Sequence, residues 1–154
     1  MKTFKTIEIG TYKDVKSLRK AIEAPGARIS SWAGGILNKT PLSKSKQFLD
    51  LVDVSVKELG FPQGAQLKDI YEAAKNLGLD LCPAEVGPQL RLQYPGQPYG
   101  EWLVIAMEPI SDSGGVLRLF FVRRDGGVRW LHAYHGNPDL RWDAGVRFVF
   151  VRRK

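Results

Sequence analysis

The first half of the chain mostly places apolar residues at helical spacing. Apolar stripes predict a helix over 15–22, another over 29–37 and the clearest over 66–77. A short strand is expected at 3–9, where Ile7 and Ile9 share one side. Residues 48–59 are ambiguous, but their alternating valines favour a strand followed by a helical turn.

From residue 87 onward the apolar residues alternate with polar ones, which is typical of strands. Turn sequences rich in glycine and proline separate the alternating runs. The predicted strands are 87–94, 102–107, 116–123, 128–134 and 146–152. They form an antiparallel meander that can curl or close into a small barrel.

These patterns predict an α+β fold with N-terminal helices packed on a C-terminal antiparallel β-meander. The chain of 154 residues suits a single domain over 1–154, with a helix-rich half (1–80) and a meander half (87–152). The expected core pairs one helix face with apolar strand positions. Its members are Leu67, Ile70, Tyr71 and Ala74 on the helix, and Trp102, Leu103, Ile105, Leu119, Phe121, Phe148 and Phe150 on the strands.

Cysteine content and apolar runs bear on the compartment. The single cysteine, Cys82, cannot form an internal disulfide, so a reducing compartment is expected. The longest apolar run, 102–107, is too short to span a bilayer, and the first residues do not resemble a signal peptide. We therefore expect a cytoplasmic protein without a membrane partner.

Positive charge is concentrated in the last quarter of the chain. The net charge is +7, and residues 114–154 hold eight arginines and Lys154 against three aspartates. Arginine binds planar anions through two parallel hydrogen bonds and stacks on rings, so this region suits nucleic acid. The alternative is that excess charge only keeps a small protein in solution.

Aromatic residues alternate with these arginines, which is typical of a sheet that stacks bases and neutralises phosphates. Most of the rings are expected in the core. Tyr134 and Trp142 are the exposed candidates because they lie in or beside the 135–145 loop. The predicted nucleic-acid-binding residues are Arg118, Arg124, Arg129, Tyr134, Arg141 and Trp142.

The candidate residues for catalysis are few. Glu85, Arg91 and His132 could serve a small nuclease or hydrolase, although no recognised catalytic motif contains them. His132 and His135 could meet around a metal, with Asp139 and Asp143 as further ligands, only if a turn begins near residue 134. We expect no metal and no cofactor. The leading prediction is a binding module for single-stranded nucleic acid or a ribonucleoprotein, and the alternatives are a protein–protein interaction module and the small hydrolase.

The segment 81–94 fixes its backbone with two prolines and a glycine, and then presents Gln89, Arg91 and Gln93 on one side of the predicted strand. Arg91 is the only base in an acidic stretch, so an ion pair with a nearby glutamate (Glu85, Glu101 or Glu108) is expected. Together with 100–110, this segment resembles a family of small uncharacterised bacterial proteins over residues 55–154. The resemblance implies no activity.

Overall fold

The computed structural model describes residues 1–153. Within them the chain forms a mixed α+β fold in which helices cover parts of one large sheet. The helices are α1 (Val15–Glu23), α2 (Ser31–Leu37), α3 (Leu67–Asn76) and α4 (Val86–Gln93). The strands are β1 (Lys5–Ile9), β2 (Arg28–Ile29), β3 (Gln47–Ser55), β4 (Ala65–Gln66), β5 (Leu79–Asp80), β6 (Trp102–Ile105), β7 (Ile110–Ser111), β8 (Leu117–Asp125), β9 (Val128–His135), β10 (Arg141–Trp142) and β11 (Arg147–Arg152).

The large sheet mixes strands from both halves of the sequence. Its main path runs β1-β3-β11-β6-β8-β9-β2, while β5 pairs with β11 and β7 pairs with β8. The short strands β4 and β10 form a separate pair. The prediction of helices packed on a purely C-terminal sheet is therefore too simple, because β1 and β3 extend the sheet beyond β11.

The sheet is also not purely antiparallel. β11 runs parallel to β6, and β2 runs parallel to β9. Only β6, β8 and β9 keep the meander order, with antiparallel pairing between β6 and β8 and between β8 and β9. β1 and β2 lie at opposite ends of the main path, so within residues 1–153 the sheet stays open and no closed barrel forms.

Helices α4 and α3 pack on opposite sides of the sheet. α4 lies against β8 through Gly87, which faces the Phe120 ring. α3 lies on the other side, where Tyr71 makes edge contacts with Phe148 and Phe150 of β11. Phe148 pairs with Val104 and Val104 with Phe121, so the Phe121 side of β8 is the α3 side of the sheet.

The prediction of a strand at 87–94 is wrong, because this segment is helix α4. Its alternating Leu90, Leu92 and Tyr94 fit a strand, but Glu85, Gln89 and Gln93 also recur every fourth residue along a helix. A proline at the third helical position leaves no hydrogen bond unmade there.

The predicted core is mostly confirmed. Leu67, Ile70 and Ala74 of α3 are buried, and Tyr71 is partly buried against the same core. The buried strand residues are Leu103, Ile105, Leu119, Phe121, Phe148 and Phe150. Trp102 is only partly buried, because its ring lies where the α3 side of the sheet becomes open. No helix in residues 1–153 is both long and apolar enough to cross a bilayer.

Candidate functional site

Five aromatic side chains lie together on the α3 side of β6, β8 and β9. Trp130, His132 and Tyr134 occupy alternate positions of β9 and so point to the same side. Phe121 of β8 pairs directly with His132, and Trp102 of β6 lies one strand further. We call this group of five residues the aromatic face.

The rings of the aromatic face contact one another in a continuous chain. Trp130 stacks on His132 with ring centroids 4.8 Å apart and planes 11° from parallel. Phe121 lies 5.0 Å from His132 and 5.1 Å from Trp102, and Trp102 lies 6.1 Å from Tyr134. These separations are those of interacting aromatic pairs, so the rings hold one another in place.

The aromatic face is open to solvent because α3 lies further along the sheet, on β11. Phe121 is buried and forms the floor. Trp102, Trp130 and His132 are partly exposed, and Tyr134 has 41% of its surface exposed. Large rings exposed side by side on a sheet are a feature of binding surfaces.

Two arginines lie at the edge of the aromatic face. Arg28 of β2 pairs with Trp130, and its Cζ lies 5.9 Å from the centre of the Trp130 ring. Arg123 of β8 also pairs with Trp130, and its guanidinium forms an exposed ion pair of 3.2 Å with Asp125. Burial, together with the nearby Arg123, lowers the pKa of His132, so its imidazole is neutral at physiological pH.

Arg91 braces the same strands from the opposite side of the sheet. Its Nη1 donates to the backbone carbonyls of Trp130 (3.1 Å) and Arg123 (3.3 Å) and to the Gln97 side chain (2.7 Å). Arg91 is 1% exposed, and burial lowers its pKa to about 10. Among residues 1–153 it forms no ion pair, so the predicted partnership with a glutamate is wrong.

Arg124 and Arg129 project to the Arg91 side, because they alternate with the residues of the aromatic face. Both lower the pKa of Arg91, which places their charges near it. Arg124 donates to the carbonyl of Gln97, and Arg129 to that of Pro25. These two predicted nucleic-acid ligands therefore do not lie beside Tyr134.

The other predicted nucleic-acid ligands are also scattered. Trp142 was expected to be exposed and is 4% exposed, because it pairs with Ala65 and its ring packs 5.2 Å from that of Phe148. Arg118 is buried in an ion pair with Asp112. Arg141 is exposed but donates to loop carbonyls at residues 63 and 64. Of the predicted set, only Tyr134 belongs to the aromatic face, and the buried Trp142 ring packs beside it with centroids 5.3 Å apart.

The three predicted catalytic residues do not converge. Glu85 immediately precedes α4 and Arg91 lies within it, on the Phe120 side of the sheet. His132 lies on the opposite side. Glu85 is 1% exposed, and its carboxylate accepts from the amides of Gly10 and Ser43, both at 2.8 Å. This geometry ties two loops to α4 and leaves the carboxylate no access to a substrate.

Glu85 begins a polar row along α4 that caps the edge of the sheet. Gln93 donates to the carbonyl of Glu8 and accepts from its amide, so it completes two backbone hydrogen bonds of edge strand β1. Gln89 donates to the hydroxyl of Thr11 and to Glu85. By occupying the amide and carbonyl of Glu8, Gln93 blocks part of an edge at which another strand could pair, and the loops held by Glu85 line a cleft of about 640 Å³.

The structure gives no grouping that would hold a metal within the described residues, as no three His, Cys, Asp or Glu side chains come together there. His132 and His135 are three positions apart on β9, so their side chains project to opposite sides of the sheet. Comparison with protein-family models, with curated proteins and with solved structures found no match.

Sequence reasoning missed Trp130, Phe121, Trp102, Arg28 and Arg123 as members of a surface. A signal for three of the rings was present, because aromatic residues occupy alternate positions 130, 132 and 134 of a predicted strand. Arg28 could not be found in this way, since its two-residue strand β2 fell at the edge of a predicted helix.

Proposed function

We propose that the protein binds single-stranded nucleic acid on the aromatic face, without a strong sequence preference. The observation that supports this is the row of Trp130, His132 and Tyr134 on the uncovered side of β9. Alternate residues of a strand lie roughly 6.6 Å apart. Trp130 and His132 already stack on each other, so one base of a single strand can stack on the outer face of the Trp130 ring and another on the exposed Tyr134 ring.

Charge complementarity favours a polyanion over an apolar partner. Arg28 and Arg123 lie on the same side of the sheet as the rings, where they can contact the phosphates between stacked bases. The Arg123–Asp125 ion pair is about half exposed, so it contributes little to stability and can be exchanged for a phosphate contact. An arginine close to a ring also strengthens stacking through its own planar group.

The chemistry of the face explains why sequence preference should be weak. Every base has a face that can stack, whereas base discrimination needs fixed hydrogen-bonding groups. Trp130 and Trp102 offer mainly ring surface. A duplex already stacks its bases internally, so it should bind through phosphate contacts alone and more weakly.

The test is a fluorescence-anisotropy titration with labelled single-stranded RNA and DNA and with a duplex of equal length, at several salt concentrations. We expect Trp130→Ala to cost roughly 1–3 kcal/mol of binding free energy, the value of one stacked base. Arg28→Ser and Arg123→Ser should each reduce the slope of log affinity against log salt by about 0.7.

Matched control variants distinguish binding at the aromatic face from nonspecific binding elsewhere on the surface. Phe48 is an exposed ring on β3, and Lys46 is an exposed cation outside the face. Phe48→Ala and Lys46→Ser should leave affinity nearly unchanged. Absence of single-strand binding into the high micromolar range at physiological salt would refute the proposal. The protein–protein interaction alternative would then lead, and degradation of the probe would instead indicate the hydrolase.

A further inference from the structure

Trp32 presents a large indole to solvent at the start of α2. It is 56% exposed, whereas tryptophan is highly buried on average. The guanidinium of Arg118 lies over the ring with its Cζ 3.9 Å from the ring centre. One side of the indole is thus covered by Arg118, and the exposed surface belongs to the rest of the ring.

Arg118 is itself held firmly. Its side chain is 5% exposed, and its Nε donates to the carboxylate of Asp112 at 3.0 Å. Asp112 also accepts from the amides of Gly114 and Val116, and these contacts keep its pKa below the usual range. The ion pair is therefore charged at neutral pH, and it fixes the cation under Trp32.

A cleft of about 410 Å³ joins Trp32 to the aromatic face. This volume lies near the lower end of the range of roughly 300–1,000 Å³ that is usual for small-ligand sites. The cleft is lined by Ser30, Ser31, Trp32, Phe121, His132 and Tyr134, with Arg123 also contributing.

The cleft combines three kinds of group that one nucleotide requires. Trp32 offers a ring to stack on, and Arg123 offers a cation for a phosphate. Ser30 Oγ accepts from the amide of Ala33, so its own proton is free to donate to a base or sugar. An apolar peptide side chain would make use of neither the hydroxyl nor the guanidinium.

We infer that the cleft between Trp32 and the aromatic face takes one nucleobase of the bound strand, stacked on the open side of the Trp32 ring. This inference rests on the proposed function and extends it from a flat face to a defined subsite. Asp112 acts as a positioning residue, because it holds the arginine that supports Trp32.

The experiment titrates wild-type protein, Trp32→Ala and Trp32→Phe with a labelled single-stranded oligonucleotide. A second probe of the same length carries abasic sites at every position. Trp32→Ala should weaken binding of the normal probe by roughly 5- to 150-fold, the loss of one stacked base. Trp32→Phe should weaken it less, and binding of the abasic probe should hardly change in either variant.

Asp112 is tested by a double-mutant cycle that a merely structural role would not satisfy. Asp112→Asn should weaken binding in the wild-type background but not in the Trp32→Ala background, although it lowers the melting temperature in both. Equal effects on binding in the two backgrounds would overturn its positioning role.

The outcomes distinguish the subsite from the proposed function. Failure of the wild-type protein to bind the normal probe would overturn both. If the wild type binds, Trp130→Ala weakens binding and Trp32→Ala does not, the subsite inference is wrong and the proposed function stands. Equal losses on the normal and abasic probes would also overturn the subsite, because they would show that no base stacks on Trp32.

Discussion

Gly87 is the contact point between α4 and the sheet, and Gly87→Ala should therefore lower stability. A Cβ added there would lie 2.6 Å from the Cγ and Cδ2 atoms of Phe120 and 2.7 Å from its Cβ. Phe120 is fully buried. The Cβ of Phe120 is fixed to the backbone of β8, so rotation of the ring cannot remove the clash, and α4 must move away from the sheet.

Two opposing effects set the size of the change. Replacing a helical glycine with alanine gains about 0.5–1 kcal/mol from the restricted unfolded chain. Overpacking a buried site costs typically 1–3 kcal/mol, and a clash with a backbone-fixed atom belongs at the upper end of that range. We expect a net loss of roughly 2 kcal/mol, which corresponds to a melting temperature lower by about 4–8 °C.

Gly35→Ala is the matched control, because Gly35 lies in α2 and an added Cβ would meet nothing within 4 Å. It should raise stability by about 0.5–1 kcal/mol. The assay is urea unfolding of both variants and the wild type, followed by circular dichroism. If Gly87→Ala proved as stable as Gly35→Ala, the packing of α4 against Phe120 would be wrong.

Two further predictions concern single ionisable groups. Glu85→Gln should cost roughly 1.5–3 kcal/mol, because an amide cannot accept from both Gly10 and Ser43 and turns a donor toward one of them. Urea unfolding measures this loss, and the exposed Glu72→Gln is its control; equal stability of the two variants would contradict the buried clamp. Burial and Arg123 lower the pKa of His132, so the unfolded chain binds this proton more readily than the folded protein. The contribution of neutral His132 to the unfolding free energy is therefore fully present above about pH 6.5. This contribution is lost as the pH falls through the lowered pKa. Melting temperatures of wild type and His132→Gln, measured from about pH 7.5 to about pH 5, should show the wild type losing more stability on acidification; parallel curves would contradict the lowered pKa.

Element identity was largely predictable from the sequence, and the exception has a clear physical cause. The strands around 48–55, 117–125 and 128–135 and the helix at 67–76 lie where the periodicity predicts them. The segment at 86–93 carries both periods, and contacts outside the segment decide between them. Gln93 bonds to β1 and Gln89 to Thr11, and these distant partners favour the helix.

The position of the binding surface was less predictable, because it depends on where helices land on the sheet. Alternation places Trp130, His132 and Tyr134 on one side of β9, but it does not say which side is covered. That side is open because α3 lies on β11, and β11 enters the sheet beside β6 through a parallel pairing that no local pattern reveals. Trp142 was predicted to lie exposed beside a loop, but it is buried because it belongs to the short β4–β10 pair.

The two sides of β8 and β9 have different roles: one is packed against α4, and the other faces solvent. On one side, Gly87 and Arg91 of α4 fix the backbone through close packing and through bonds to the carbonyls of residues 123 and 130. On the other side, the side chains of these two residues, Arg123 and Trp130, project toward solvent. A ring on a braced strand has little freedom to lose when a base stacks on it, so more of the stacking energy remains as affinity. The bracing arginine therefore contributes to binding without touching the ligand, and stability and affinity should fall together when it is removed.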